Sequence, residues 1–260
     1  MRSAVREASG IRVLGGPSTT APPPDASDRL PTVVLVHGIG TSHRYFSRLH
    51  RELETETMVY SLDLPGFGGT PKPAFTASVR EMALLIANAL DELAVRDAVL
   101  VGHSMGVQWV VELALLRPDV VSLVVAIGPV ADSAHRTLAA QSRALAVDVM
   151  GEPPLTNAVV FVDYLGCGPA YYLAQSKPML SYPVDERVAA LTRPLLVIRG
   201  GNDPIAGDDW WRRLAARAPV GCVVTVPGNR HVVQFTAPKA VAGAIRSTVA
   251  RMSTDQSTRR

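Results

Sequence analysis

Val99-Leu100-Val101-Gly102-His103-Ser104-Met105-Gly106, continued by Val107-Gln108-Trp109-Val110-Val111-Glu112-Leu113-Ala114, is the stretch that decides the fold. A β-branched apolar run stops at a Gly-x-Ser-x-Gly turn. A second run follows at once, with Val107, Val110, Val111 and Ala114 on one helical face. The reading is strand, sharp turn, helix. Gly102 and Gly106 flank Ser104 where a turn this tight leaves no room for side chains. The serine is then forced into a strained conformation that holds its hydroxyl above the sheet edge. The next helix aims about half a positive charge at any anion formed there. Ser104 is the candidate nucleophile.

Upstream, Thr32-Val33-Val34-Leu35-Val36 is continuously apolar, as expected of a parallel strand covered on both faces. It ends in His37-Gly38-Ile39-Gly40, whose glycines let backbone N–H groups face the crevice where α/β sheets bind ligands. Ile39 is the best N–H donor there. A helix is predicted from about His43 to Leu53, then a strand over Met58-Val59-Tyr60-Ser61-Leu62 and a turn-rich run from Asp63 to Thr70. Asp63 is read as bonding the N–H groups of its own glycine-rich turn. Ser78-Val79-Arg80-Glu81 forms a capping box before an amphipathic helix.

Downstream, Val121 to Ile127 is another buried strand, and strands alternating with helices give a parallel sheet covered on both faces. The rhythm breaks at 131–186, read as a small, mainly helical cap over the C-terminal edge of the sheet. Tyr164 and Phe161 are expected to face ligand there, with His43 added as a third pocket candidate. Arg136 and Arg143 are read as pairing with Asp132 or Asp148 on solvated helix faces. The rhythm resumes at Pro194 to Arg199, and Cys222 to Val226 is read as a last buried strand before a closing helix from about Pro238 to Val249. A short hairpin opens the chain, residues 15–31 read as a Pro-rich loop, and 252–260 as a frayed tail. The expected division is a core of 1–130 and 187–251 with the cap at 131–186.

With 260 residues, 47% of them apolar, the chain can bury the core of one large α/β domain. A net charge of +3 with dispersed arginines gives no nucleic-acid footprint. No run of about 18 apolar residues suggests a membrane span. Cys167 and Cys222 form neither a CxxC motif nor a disulfide framework, so a reduced, cytoplasmic protein is expected. No metal-ligand spacing or dinucleotide fingerprint is seen, so no cofactor is expected.

Ser104, Asp203 and His231 each lie just past a predicted strand, and a parallel sheet brings such ends to one edge. A serine hydroxyl needs a base, and a histidine serves when a carboxylate fixes its tautomer. Asp132 also follows a strand, but at a remove of four residues, so Asp203 is preferred as the acid. With the order Ser, Asp, His, the chain resembles the α/β-hydrolase superfamily from its first hairpin to its closing helix. The matching residues are His37-Gly38-Ile39-Gly40, Asp63-Leu64-Pro65-Gly66-Phe67-Gly68, Gly102 to Gly106, Arg199-Gly200-Gly201-Asn202-Asp203-Pro204-Ile205 and Pro227-Gly228-Asn229-Arg230-His231.

The resemblance implies a mostly parallel, doubly wound sheet of the α/β-hydrolase type. It also implies a serine hydrolase with Ser104 as nucleophile, His231 as base, Asp203 as orienter, and the N–H groups of Ile39 and Met105 as the oxyanion hole. The expected activity is hydrolysis of a small or medium ester, thioester or lactone. Hydrolysis of a carbon–carbon bond in a β-diketone-like substrate and a ligand receptor on a hydrolase scaffold are the alternatives. Serine at position 104 disfavours epoxide opening and dehalogenation, for which relatives carry aspartate. His37 and His103 are read as bracing their loops, and His43, His50 and His135 as plain polar residues.

Overall fold

A computed structural model describes residues 5–16, 30–130, 137–205 and 209–258. In chain order the elements are β1 (Val5–Ala8), β2 (Ile11–Gly16), β3 (Val33–Val36), α1 (Ser47–Leu53), β4 (Val59–Asp63), α2 (Val79–Glu92), β5 (Ala98–His103), α3 (Gly106–Leu116) and β6 (Val121–Ile127). There follow α4 (Leu138–Gly151), α5 (Pro154–Cys167), α6 (Pro169–Ser181), α7 (Val184–Ala189), β7 (Leu195–Gly200), α8 (Trp210–Arg217), β8 (Gly221–Val226), α9 (Val233–Thr236) and α10 (Pro238–Thr258).

The eight strands form one sheet in the order β1-β2-β4-β3-β5-β6-β7-β8. The opening hairpin adds antiparallel through β2 to β4, and every other neighbouring pair is parallel. From β3 the order runs to β4 on one side and to β5 on the other. Loops leaving the C-terminal ends of β3 and β5 therefore border one crevice, where open α/β sheets bind ligands.

Alternation along the strands builds two cores. Val34, Val36 and Leu100 pack with Met82, Ile86, Trp109 and Leu113 of α2 and α3. Val33, Leu35, Val99 and Val101 point the other way, to Leu49, Leu53, Val241 and Ile245 of α1 and α10. Each large side chain so buried contributes about 1.5–3 kcal/mol relative to exposure. The Ser78 capping box is formed, with Glu81 N–H donating to Ser78 Oγ and Ser78 N–H to Glu81 Oε2.

Several boundaries depart from the sequence reading. Gly15 and Gly16, assigned to the loop, complete β2 at positive φ. A Cβ on Gly15 would lie 2.0 Å from the Val59 carbonyl oxygen, so only glycine lets β2 reach β4 there. The predicted helix at His43 begins as a 3₁₀ turn (His43–Phe46) before α1. The core resumes earlier than 187, because α7 packs against α3 and α8 through Val184 and Val188. Residues 252–258 continue α10 instead of fraying. β8 is an edge strand, partly exposed along its length with Gly221 and Thr225 open, although Val223 packs into one core and Cys222, Val224 and Val226 into the other.

Candidate active site

Ser104 sits between β5 and α3 at φ +56°, a left-handed conformation that is strained for a side-chain-bearing residue. The flanking glycines are required by contact. A Cβ on Gly102 would lie 2.5 Å from the Gly106 carbonyl oxygen, and one on Gly106 2.4 Å from that of Val36. Gly102→Ala is expected to destabilise the fold by about 1–3 kcal/mol, read as a lower denaturation midpoint. An unchanged midpoint would show that strand and helix can separate at no cost.

Asp203 follows β7 and His231 follows β8. His231 Nδ1 lies 2.9 Å from Asp203 Oδ2, and Asp203 Oδ1 accepts the Ile205 N–H at 2.8 Å. The loops carrying them are joined by backbone bonds, Gly201 N–H to Val226 O and Asn202 N–H to Asn229 O. Arg199 spans its own turn by donating to the carbonyls of Gly200 and Gly201.

Both partners are buried. Burial opposes the charged imidazolium, but the Asp203 charge and hydrogen bond, then the charges of Asp148 and Glu152, outweigh it and raise the His231 pKa. Burial also works against the Asp203 carboxylate, and the His231 charge and hydrogen bond overcome it, so the carboxyl is held below its usual range. The pair therefore favours an ionised Asp203 with a proton on His231 Nδ1. Asp132 and Arg136 lie outside the described residues.

Ser104 and His231 line one cavity, closed by α4, α5 and α6 through Leu145, Val149, Val160, Tyr164, Tyr172 and Met179. Ile39 and Gly38 line it from the β3 side. The backbone at Gly38 approaches the serine so closely that a Cβ there would meet Ser104 Cβ at 2.9 Å. Met105 follows the serine as the residue capping the N-terminus of α3.

Of the three pocket candidates, Tyr164 faces the cavity, its ring against Tyr172 with centroids 5.3 Å apart. Phe161 does not, being 62% exposed. The inward face of α5 carries Thr156, Asn157, Val160 and Tyr164, and one residue past Val160 turns the helix by about 100°. His43 is also turned away. It starts the 3₁₀ turn, and its N–H and Nδ1 both meet Asp63, at 2.7 and 2.8 Å. Asp63 thus holds a neighbouring segment and not its own turn, while Gly68 abuts its carboxylate. His37 and His103 do brace loops. His37 Nδ1–H donates to Gly38 O, and its Nε2 accepts the Leu64 N–H.

Sequence reasoning missed three features of the site. Gly38 N–H donates to Tyr45 Oη, Tyr45 O–H to His103 Nδ1, and His103 Nε2–H to the His231 carbonyl, a buried chain linking the β3 loop to the base loop. The His103 pKa lies well below its ordinary value through burial and then the His231 charge, which suits the neutral ring this chain needs. Gly128, at φ +51°, touches the imidazole, since a Cβ there would lie 2.9 Å from His231 Nδ1. Asp148, expected on a solvated face, is 2% exposed and accepts the His231 N–H at 3.3 Å, while Glu152 accepts the Val232 N–H at 3.1 Å. An i, i+4 carboxylate pair was the available signal. It looks the same on a solvated helix face.

An eight-stranded, mostly parallel sheet with a serine elbow and strand-end acid and histidine defines a hydrolase-type architecture. A sequence profile described as the alpha/beta hydrolase family matches residues 33–244, and the chain belongs to that family. By sequence it is 39% identical over 95 residues to the uncharacterised hydrolase YugF of Bacillus subtilis. That match covers 36% of this chain, and the chain spans about a third of YugF's length, 35%. Esterase YbfF of Escherichia coli is 28% identical over 239 residues, covering 82% of this chain and 91% of that protein. Among solved structures, Est816, described as an N-acyl homoserine lactone degrading enzyme, superposes with a TM-score of 0.76 at 19% identity. The superposition covers 94% of this chain and 99% of Est816. Among the described residues, no helix is long and apolar enough to cross a membrane.

Proposed function

We propose that the protein is a serine hydrolase acting on small or medium carboxylic esters, thioesters or lactones through an acyl-serine intermediate. The observation that carries this reading is that Ser104, strained outward at its elbow, shares one cavity with a histidine bonded to a buried carboxylate. The kinship with esterase YbfF supports it.

In this reading His231 Nε2 takes the Ser104 proton as Oγ attacks the carbonyl carbon, and Asp203 stabilises the resulting imidazolium. The oxyanion is held by the N–H groups of Ile39 and Met105, the second aided by the N-terminus of α3. The imidazolium then protonates the departing alkoxide or thiolate, and a water activated by the same ring releases the acid. Tyr164 and Tyr172 narrow the cavity and favour modest acyl groups. The free Cys167 and Cys222 thiols suit a reducing compartment such as the cytoplasm.

The test is labelling with a fluorophosphonate probe, with mass spectrometry of the adduct, beside a p-nitrophenyl ester series of increasing chain length. The expected result is one adduct on the Ser104 peptide and chain-length-dependent turnover. A folded protein that shows neither, yet gains thermal stability from a ligand when Ser104 is alanine, is a receptor and not a hydrolase.

A further inference from the structure

Asp148 in the last turn of α4 and Glu152 at its C-cap are both buried and accept the N–H groups of two consecutive residues, His231 and Val232. The catalytic strands do not supply these acceptors. They come from the helical excursion between β6 and β7, so the loop carrying the base is held on one side by Asp203 and on the other by the cap. Arg230 fastens the same junction, with Nη1 donating to Val147 O and the guanidinium lying where a Cβ on Gly151 would sit. Burying two carboxylates costs free energy unless their hydrogen bonds offset it. Anchoring a helix could be done with apolar contacts alone.

We propose that Asp148 and Glu152 are positioning residues for the base, so that α4 in its seat and a correctly aimed His231 are one and the same state. The proposal rests on the serine hydrolase reading for its catalytic meaning. Its physical content is the orientation and charge environment of one imidazole. Among the described residues, the titratable and charged groups facing His231 are Asp203 from the β7 loop, His103 from β5, Arg230 from its own loop, Asp148 from α4 and Glu152 from the C-cap of α4.

Geometry and charge separate by choice of substitution. Asp148→Ala with Glu152→Ala removes both acceptors. Asp148→Asn with Glu152→Gln keeps an oxygen to accept each N–H but removes the charges. The alanine pair is expected to lower kcat by about 10²-fold with a smaller change in KM, since a base displaced by about 1 Å costs that much. The amide pair should restore most of that loss.

The charge effect appears in the His231 titration, followed by NMR of the imidazole in wild type and in both double variants. Two negative charges near the ring favour its protonated form, so removing them lowers its pKa. The base works unprotonated, so the acid limb of kcat/KM should move to lower pH in both variants, including the amide pair whose kcat is restored. Residues that merely anchor the cap would leave the alanine pair with wild-type kcat, and that result overturns the proposal, as does a His231 titration unmoved in both variants. The NMR titration needs no turnover. Wild type that neither reacts with fluorophosphonate nor cleaves esters overturns the hydrolase reading separately, while a His231 titration shifted in the variants still supports the placement of the pair.

Discussion

Ser104→Ala is expected to abolish fluorophosphonate labelling and lower ester turnover by roughly 10⁶-fold. In the proposed mechanism the His231 imidazole, which lines the same cavity, activates the Ser104 hydroxyl, and water cannot replace it at comparable effective concentration. The fold should survive, because alanine occupies the φ +56° position at a strain similar to serine's. Glycine at that position is a sharper variant. It adopts the left-handed conformation without steric penalty, so Ser104→Gly should be equally inactive and more stable than wild type by about 1 kcal/mol. Kinetics and thermal unfolding of the three proteins side by side check both halves. Residual turnover above about a hundredth of wild type would assign the nucleophile elsewhere, and an unstabilised glycine variant would mean that the elbow stores no strain.

The second large effect concerns the acid. In Asp203→Asn, the amide oxygen can keep the Ile205 N–H bond that Asp203 Oδ1 now accepts, which leaves the NH₂ facing His231 Nδ1. An amide donor there demands a bare Nδ1 and places the ring proton on Nε2, the nitrogen that must be free to receive the serine proton. Turnover should fall on the order of 10⁴-fold with little change in KM or stability. Steady-state kinetics with one ester suffices. Near-normal rates, with Asp132→Asn inactive instead, would transfer the role to Asp132.

The strand ends were legible because each core strand of a parallel sheet, covered on both faces, writes itself as an unbroken apolar run. Ser104, Asp203 and His231 could therefore be placed at one edge from spacing alone. Exposure was less legible. β8 is as rich in β-branched residues as a buried strand, but nothing in Cys222-Val223-Val224-Thr225-Val226 says that, among the described residues, it is the last strand of the sheet. The helices over the site were least legible, because α4 and α5 face a cavity and not a packed core. Their inward residues include Asp148, Glu152, Thr156 and Asn157, so hydrophobic periodicity does not mark the inward face. Phe161 on an outer face and Asp148 on an inner one are two results of that single cause.

β6 and β7 pair directly, although positions 128 to 194 lie between them. Closing a chain excursion costs entropy that grows only with the logarithm of its length, so shortening this one eightfold would save about 2 kcal/mol. The sheet is therefore nearly indifferent to how much polypeptide is inserted there. Descendants of this architecture are free to lengthen, trim or replace the insert while Val124 to Ile127 keep their pairing with Leu195 to Ile198. A transplanted insert would have to bring its own acceptors for the His231 and Val232 N–H groups, which Asp148 and Glu152 accept in this chain.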